Sequence, residues 1–318
     1  MSDNSSNGVE NKVIKKYIDE TINEASDLAI NDVKLTKITK SIDDLLIPGK
    51  IVKTTDETTG KVSTGELFNS AAVATGDNSH AEGQYTQAMG DNSHAEGIAT
   101  EAIGTNSHAE GSGSQATKSN SHAEGFLSEA SGPSSHSEGS STRAVGASSH
   151  AEGTSVKAEG TSSHAEGKYV WAKGDFSHAE GLGTAINDKK GSIDITTSTY
   201  AGGKASHAEG ERTQALGKGS HTEGFNSKTS ETALYAHAEG ASTIASGAQS
   251  HAEGSSTESS GAQSHAEGFL TMVSGDNSHG EGFRTIASGD NSHAEGVGTI
   301  ASGTNSHAEG GSTDSFGA

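Results

Sequence analysis

The sequence of 318 residues contains no cysteine and only two prolines, and aromatic residues make up 4% of it. The chain therefore forms no disulfide and none of the zinc sites that require thiolate ligands. Because hydrophobic residues amount to only 29%, a conventional hydrophobic core is not expected. The formal net charge of −21 argues against nucleic acid and anionic membranes as partners, since either would require a basic face.

Long apolar segments are absent as well. The sequence begins MSDNSSNGVENKVIKKYIDE, which is polar throughout and predicts no signal peptide. No run of residues reaches the length of a transmembrane helix, so membrane insertion is not predicted. These features favour a protein that is assembled in the cytoplasm of the cell that makes it.

What the sequence does contain is a repeat of 14 residues. All 16 histidines lie in the motif Ser-His-Ala-Glu-Gly or a close variant, with glutamate two residues after histidine and glycine three after. The spacing is 14 without exception from His80 to His178 and again from His237 to His307. Self-similarity at a fixed short period is typical of a solenoid, in which each repeat forms one coil.

One interval is longer than the others, since 29 residues separate His178 from His207. Aligned backward from His207, Ser192 takes the serine place, Ile193 the histidine place and Ile195 the glutamate place. We therefore predict a seventeenth coil with isoleucine in place of both residues, preceded by a one-residue insertion in the turn.

The averaged repeat reads S-H-A-E-G-x-x-T-x-A-x-G-x-x, in which small residues alternate with others. A period of two, bounded by Gly, Asn, Asp and Ser, predicts two short strands and two turns per coil. The small residues are expected to fill a narrow interior. The outward places of the second strand accept almost any residue, as a solvent face does. Those of the first strand are uniform, which favours contact with another copy of the chain.

These considerations predict an all-β parallel solenoid of about 17 coils whose first-strand outward residues form an interface between subunits. Because residues on one face of a strand are about 6.6 Å apart, we expect histidine to bond glutamate of a neighbouring chain. Such pairing would raise the pKa of histidine and make the assembly most stable at mildly acidic pH. The predicted interface ladder comprises His80, Glu82, His94, Glu96, His108, Glu110, His122, Glu124, His136, Glu138, His150, Glu152, His164, Glu166, His178, Glu180, Ile193, Ile195, His207, Glu209, His221, Glu223, His237, Glu239, His251, Glu253, His265, Glu267, His279, Glu281, His293, Glu295, His307 and Glu309.

The repeat resembles the head repeat of the YadA-like trimeric autotransporter adhesins, whose pattern is N-S-V-A-I-G-x-x-S-x-A-x-G. The resemblance extends over residues 76–318 and rests on the period, the turn glycine and the small interior positions. It implies a left-handed parallel β-roll assembled as a homotrimer, with His and Glu at the places that face neighbouring subunits. The Ser-His-Ala-Glu-Gly form is similar to repeats of phage tail fibres and spikes, in which a C-terminal chaperone domain can follow and be removed.

Three regions are predicted along the chain. Residues 1–49 form an N-terminal helical collar or attachment segment, because Ile14, Ile18 and Ile22 recur at helical spacing and Pro48 ends any helix. Residues 50–75 form a linker with capping strands, and residues 76–318 form the β-roll domain. The N-terminal segment is the expected attachment to a tail or baseplate protein.

Chemistry at the His-x-Glu motif is a weaker interpretation. Sixteen copies cannot all be active sites and share no nucleophile, so an enzyme is not predicted, and neither is a cofactor. A ring of three imidazoles on a three-fold axis could hold zinc or nickel at one or two levels, which leaves a metal-loaded scaffold as an alternative. Calcium binding of the β-roll type needs G-G-x-G-x-D, which is absent. Ice binding is disfavoured because the repeated threonine points inward.

The sequence therefore predicts a fibre or spike of a phage or phage-like tail, located in the virion, that attaches to the host cell or spaces a receptor-binding tip. The alternative is a bacterial cell-surface adhesin head whose export and anchoring parts lie outside this chain. A host receptor would contact exposed aromatic residues or the long turns at residues 187–191 and 230–235. The aromatic candidates are Tyr85, Tyr169, Trp171, Phe176, Phe225, Tyr235, Phe269 and Phe283.

Overall fold

The computed structural model describes residues 72–184 and 196–316, and the backbone of six short strands outside these ranges. The chain divides into two units, residues 1–52 with 66–68 and residues 53–65 with 69–318. In the first unit β1 (Ala29–Ile30) pairs antiparallel with β2 (Val33–Lys34). Of the predicted N-terminal helical segment, residues 1–49, the structure describes the backbone of these four residues, and Ile14, Ile18 and Ile22 lie outside the described residues. Within the described part, no helix has the length and apolar character needed to cross a membrane.

The second unit is a parallel β-solenoid, and its first sheet stacks 17 strands that pair in order along the chain. A further strand, β3 (Ile51–Thr55), precedes this stack in the sequence. The strands of the first sheet are β4 (Val62–Glu66), β6 (Ser79–Gln84), β8 (His94–Ile98), β10 (His108–Ser112), β12 (His122–Phe126), β14 (His136–Ser140), β16 (His150–Thr154), β18 (His164–Lys168), β20 (His178–Leu182), β24 (His207–Glu211), β26 (His221–Phe225), β28 (His237–Ala241), β30 (His251–Ser255), β32 (His265–Phe269), β34 (His279–Phe283), β36 (His293–Val297) and β38 (His307–Gly311).

The second sheet also stacks 17 strands, which are shorter and pair in the same order. The predicted all-β parallel solenoid of about 17 turns is therefore confirmed. The strands of the second sheet are β5 (Val73–Ala74), β7 (Gln87–Ala88), β9 (Glu101–Ala102), β11 (Gln115–Ala116), β13 (Glu129–Ala130), β15 (Arg143–Ala144), β17 (Lys157–Ala158), β19 (Val170–Ala172), β23 (Thr199–Ala201), β25 (Gln214–Ala215), β27 (Lys228–Thr229), β29 (Ile244–Ala245), β31 (Glu258–Ser259), β33 (Met272–Val273), β35 (Ile286–Ala287), β37 (Ile300–Ala301) and β39 (Asp314–Ser315).

The interior between the two sheets is filled by small side chains, as predicted. Ala81 and Ala88 are fully buried, and so is Thr86 between them. The serine that precedes 15 of the 16 histidines has a structural role that was not predicted. The Ser79 hydroxyl donates a hydrogen bond of 2.7 Å to the carbonyl of Gly76 and so closes the corner of the coil. A larger residue at any of these places would push the sheets apart.

Two backbone positions explain why the corner residues recur. Asn78 has a φ of 55°, in the left-handed region that asparagine tolerates better than most residues. Gly83, which follows Glu82, has a φ of 112°. A Cβ at this glycine would also collide with the carbonyl oxygen of Gly97 in the next coil. The glycine of the motif is therefore required by both its backbone conformation and the close stacking of coils.

The predicted seventeenth coil is wrong in its first half. The strand at His178 pairs directly with the strand at His207, so no strand is inserted between them in the first sheet. Residues 186–187 and 192–193 instead form β21 (Ile186–Asn187) and β22 (Ser192–Ile193), an antiparallel pair. Ile193 therefore does not belong to the ladder, and Ile195 lies outside the described residues.

The second half of the aligned unit does follow the repeat, because β23 carries Thr199 and Ala201 in the threonine and alanine places of the second sheet. The stretch between β20 and β23 is thus an excursion from a single long coil. Its base is closed by a hydrogen bond of 2.8 Å from the Thr184 amide to the Thr197 carbonyl. A sequence alignment could not reveal this, because isoleucine suits a ladder position and a hairpin equally well.

The seventeenth turn lies at the other end of the stack. Strand β4 pairs in parallel with β6, which places Thr64 opposite His80. Strand β5 pairs with β7, which places Val73 opposite Gln87. The segment that the sequence analysis assigned to a linker with capping strands therefore contributes strands to both sheets. Its missing His-x-Glu motif is the reason why the repeat count did not include it.

Candidate functional site: the histidine–glutamate ladder

The His-x-Glu residues form two continuous rows on the outer face of the first sheet. In each regular coil the histidine and the glutamate lie on the same side of the strand, since they are two residues apart. Parallel pairing in register then places His94 beside His108, and Glu96 beside Glu110. We call the 16 histidines the histidine ladder and the 16 glutamates the glutamate row.

Neighbouring imidazole rings of the ladder contact one another, and most of these ring pairs are stacked. Ring centroids of successive histidines are 4.7–5.1 Å apart along all 15 steps. Some pairs are almost parallel, with an angle of 1° between the rings of His150 and His164. The nearest ring to each interior histidine is thus another histidine. Spacings within one strand do not reveal this contact, which joins histidines of neighbouring coils.

All but one of the histidines also lie near the glutamate of their own strand. In 15 coils the Nε2 atom is 3.5–3.9 Å from the glutamate Oε2 atom. The shortest of these contacts joins His80 and Glu82 at 3.5 Å. Among the described histidines, His221 lacks such a contact. These distances exceed those of a good hydrogen bond, so each contact is weak.

The Nε2 atoms are less accessible to solvent than the histidine side chains as a whole. The side chain of His150 is 35% exposed and that of His164 is 40% exposed. Twelve Nε2 atoms are nevertheless buried and have no hydrogen-bond partner, as in His150 and His164. The rings above and below account for this burial. Such an environment disfavours a charged imidazolium.

Burial lowers the pKa of seven ladder histidines, and the neighbouring histidines lower it further. For His237 the pKa falls to about 4, with burial as the main cause and His221 and His251 as the next. In the single chain these seven histidines therefore have lowered pKa values, with burial as the first cause and neighbouring histidines as the next, while the raised pKa expected for histidines paired across subunits stays a prediction. The seven are His94, His122, His150, His178, His207, His237 and His279.

One group in the ladder could be considered for a metal ion. Ligand atoms of His207, Glu209 and His221 lie within 4.8 Å of one another. The rings of His207 and His221 are parallel to within 1°, with centroids 4.7 Å apart. Imidazole lone pairs lie in the ring plane, so two parallel stacked rings do not direct them at one point. A metal would require at least one ring to rotate out of the stack.

A third row continues the same outer face beyond the glutamates. It consists of the residue after each motif glycine, and it varies from coil to coil. Several of its members are large and exposed, including Phe126 at 54% and Ile98 at 52%. Phe269 and Phe283, which were predicted as recognition candidates, belong to this row and stack with centroids 5.5 Å apart. Phe126 occupies the same repeat position but was not among the predicted recognition candidates.

Of the other aromatic candidates, Phe225 also lies in the third row and Tyr169 is partly exposed. Tyr85, Phe176 and Tyr235 are more than half exposed at corners of the coils. Trp171 is only partly exposed, because its ring packs against Tyr200 at a centroid distance of 5.1 Å. Its indole N–H donates a hydrogen bond of 3.0 Å to Glu159. Trp171 thus has a packing role that Tyr85, Phe176 and Tyr235 do not share.

The outer face of the second sheet provides the contrast to the ladder. Its central position is occupied by residues of every chemical type. From β7 onward, these residues are Gln87, Glu101, Gln115, Glu129, Arg143, Lys157, Trp171, Tyr200, Gln214, Lys228, Ile244, Glu258, Met272, Ile286, Ile300 and Asp314.

No protein-family model matches the chain, and no curated protein matches it. The likeness to adhesin heads and phage fibres therefore rests on the repeat pattern itself. A functional interpretation has to come from the fold and from the contrast between the two outer faces.

Proposed function

We propose that this chain is a structural protein, the β-solenoid part of a homotrimeric fibre or spike of a phage or phage-like tail. It would be located in the virion after assembly in the host cytoplasm, and it would contact the host cell or hold a receptor-binding tip away from the particle. Residues 1–49 would attach it to a tail or baseplate protein.

The observation that carries this proposal is the uniformity of one outer face. His and Glu recur through 16 coils of the first sheet, whereas the second sheet places Gln115, Glu129 and Arg143 at equivalent positions of successive coils. Solvent does not require identical residues at every level. A sister subunit that packs along this face with the same axial spacing requires the same residues in every coil.

Length and construction agree with a spacing role. With neighbouring strands about 4.8 Å apart, a stack of 17 strands extends over roughly 80 Å. Each coil contacts only the coils before and after it, so the length of such a stack can change by whole coils without altering the fold. An interior of alanine, serine and threonine buries little apolar area per residue, which favours additional burial between subunits.

A bacterial cell-surface adhesin head is the second candidate. The repeat pattern supports it directly, since it is the adhesin heads whose pattern aligns with this one over the whole period. Exposed side chains of the third row, such as Phe126 and Phe283, would then serve adhesion. Genome neighbourhood distinguishes the two, because tail and baseplate genes accompany a fibre and export genes accompany an adhesin.

Native mass spectrometry of the full chain tests the assembly. We expect a mass three times that of the 32.0 kDa chain and, by electron microscopy, particles with a straight segment of roughly 80 Å. A folded species with the mass of one chain would overturn the trimer and the interface together. Binding of the fluorescently labelled protein to intact cells of candidate hosts then tests the attachment role.

A further inference from the structure

The histidine ladder is a one-dimensional array of titratable groups at nearly constant spacing. Every interior ring has two histidine neighbours at 4.7–5.1 Å, as His150 has in His136 and His164. A proton added to one ring therefore acts on two others at close range. The next histidines, two coils away, are about twice as far, and the repulsion between two charges at that distance is about half as large.

Among the described residues of one chain, the carboxylates that face each ring are those of the glutamate row. For His150 they are Glu152 in its own strand and Glu138 in the strand before it. The charged residues of the second sheet, such as Glu129 and Arg143, lie on the opposite outer face and pair with each other at 3.4 Å. The glutamates can compensate isolated imidazolium charges but do not lie between adjacent rings.

We propose that the ladder is a pH-sensitive device that takes up protons with negative cooperativity, so that alternate rings charge first and the rings between them resist. The half-charged ladder places each imidazolium beside neutral rings and near the glutamate row. Protonation of the remaining rings places positive charges one coil apart along the whole first sheet. Their repulsion weakens the pairing of neighbouring coils. This titration is a property of the single chain and does not rest on the proposed trimer.

The directions of the pKa shifts agree with this arrangement. Along the regular stretch of the ladder the pKa is lowered at His94, His122, His150 and His178. Burial is the first cause at each of them, and adjacent histidines are the second. These rings keep their neutral form to lower pH than an ordinary histidine does.

A histidine titration by NMR tests the proposal on the full chain. With 13C at the imidazole Cε1 position, we expect His150 to titrate over a broad pH range with a Hill coefficient clearly below 1. In the variant H136Q/H164Q both neighbours stay neutral at every pH. The Hill coefficient of His150 should then return to 1 and its midpoint should rise by about one pH unit. The matched control H251Q/H279Q should leave the titration of His150 unchanged.

The proposal is overturned if His150 titrates with a Hill coefficient of 1 in the unmodified protein, or if H136Q/H164Q leaves its midpoint in place. Should that variant fail to fold, potentiometric titration of the unmodified protein decides the question. Negative cooperativity spreads the uptake of protons by the ladder over about three pH units or more. Uptake as narrow as that of independent identical groups would refute it.

Discussion

The outer faces of the two sheets differ in how much they change from coil to coil, although both enclose the same interior. Ala109 and Ala116 are fully buried in the two strands of one coil, and the same small residues recur in both sheets. Outside, the first sheet repeats His and Glu, while the second changes from Gln115 to Glu129 to Arg143. The interior therefore explains the small residues and does not explain the ladder.

This difference shows that two independent requirements act on the residues of one repeat. One comes from packing within the chain and applies equally to both sheets. The other acts on one face only and points to something outside the chain. The aromatic and apolar residues of the third row, on the same face, are free to vary and so belong to neither requirement.

The largest loss of stability is expected from substitutions in the interior, where the two sheets are alike. Ala151 and Ala158 are both fully buried, in the first and the second sheet of one coil. Ala151→Leu and Ala158→Leu should each lower the free energy of unfolding by about 3 kcal/mol or more, because neither sheet can move away from the other. Thermal unfolding followed by circular dichroism measures this.

The control for this pair is Ala241→Leu, at a partly exposed position of the third row, which should change little. A large loss for the first-sheet variant alone would mean that the interior is not equally tight on both sides.

The next effect concerns the outer faces, where the sheets should differ. On the proposed assembly, His122→Ala, His136→Ala and His150→Ala together should weaken subunit association by about 3 kcal/mol, roughly a hundredfold in the dissociation constant. Sedimentation equilibrium over a range of concentrations measures it.

The matched variant on the other face combines Gln115→Ala, Glu129→Ala and Arg143→Ala, and it should leave association unchanged. Its Glu129–Arg143 pair at 3.4 Å is exposed and contributes little. Equal weakening by both triple variants would contradict an interface confined to the first sheet.

A smaller effect on the melting temperature is expected from pH. It arises from the histidines on the outer face of the first sheet. A histidine with a lowered folded pKa contributes its full stability above its ordinary value of 6.5, and this stability is lost as pH falls through the folded pKa. That window extends down to about 4 for His237. The melting temperature should therefore fall by about 5 °C between pH 7.5 and pH 5, opposite to the expectation from sequence.

Differential scanning calorimetry at the two pH values gives the comparison. The variant H122Q/H136Q/H150Q should show a smaller fall than the unmodified protein, whereas the second-sheet triple variant should show the same fall. A melting temperature that rises toward pH 5 would support paired, charged histidines instead.

The smallest effect is expected from removing the excursion. Replacing residues 185–196 with Asn-Gly should change the free energy of unfolding by less than about 0.5 kcal/mol, because β19–β23 and β20–β24 pair without these residues. Thermal unfolding again measures it. The same replacement of residues 143–154 breaks the period and should abolish cooperative unfolding. If the first variant also unfolds the protein, the segment is an integral coil.

Much of the fold could be predicted from the sequence because the evidence is local. Serine, alanine and glycine at alternating places identify the inward face of a strand, as burial of Ser79 and Ala81 confirms. The excursion could not be predicted, since Ile193 fits the repeat in alignment and departs from it only through its pairing with Ile186. The N-terminal turn at Thr64 was not predicted because it lacks the His-x-Glu motif, although its strand pairs with the strand of His80 as a regular coil would.

The candidate site shows the same division. The membership of the ladder from His80 to His178 and from His207 to His307 follows from the spacing of the motif. The stacking of rings and the direction of the pKa shifts do not, because they depend on which residue of the neighbouring coil stands beside each histidine. Sequence reasoning paired histidine with glutamate, whereas the nearest ring is a histidine.

The period of 14 residues, the two strands per coil, the narrow interior and the identity of the two outward rows all follow from the sequence alone. These depend on side-chain size and on alternation along the backbone, which are properties of neighbours in the chain. The pairing of strands across the interval from His178 to His207 and the environment of each imidazole became known only from the tertiary structure. Both are set by contacts between residues 14 to 29 positions apart, which a local pattern does not specify.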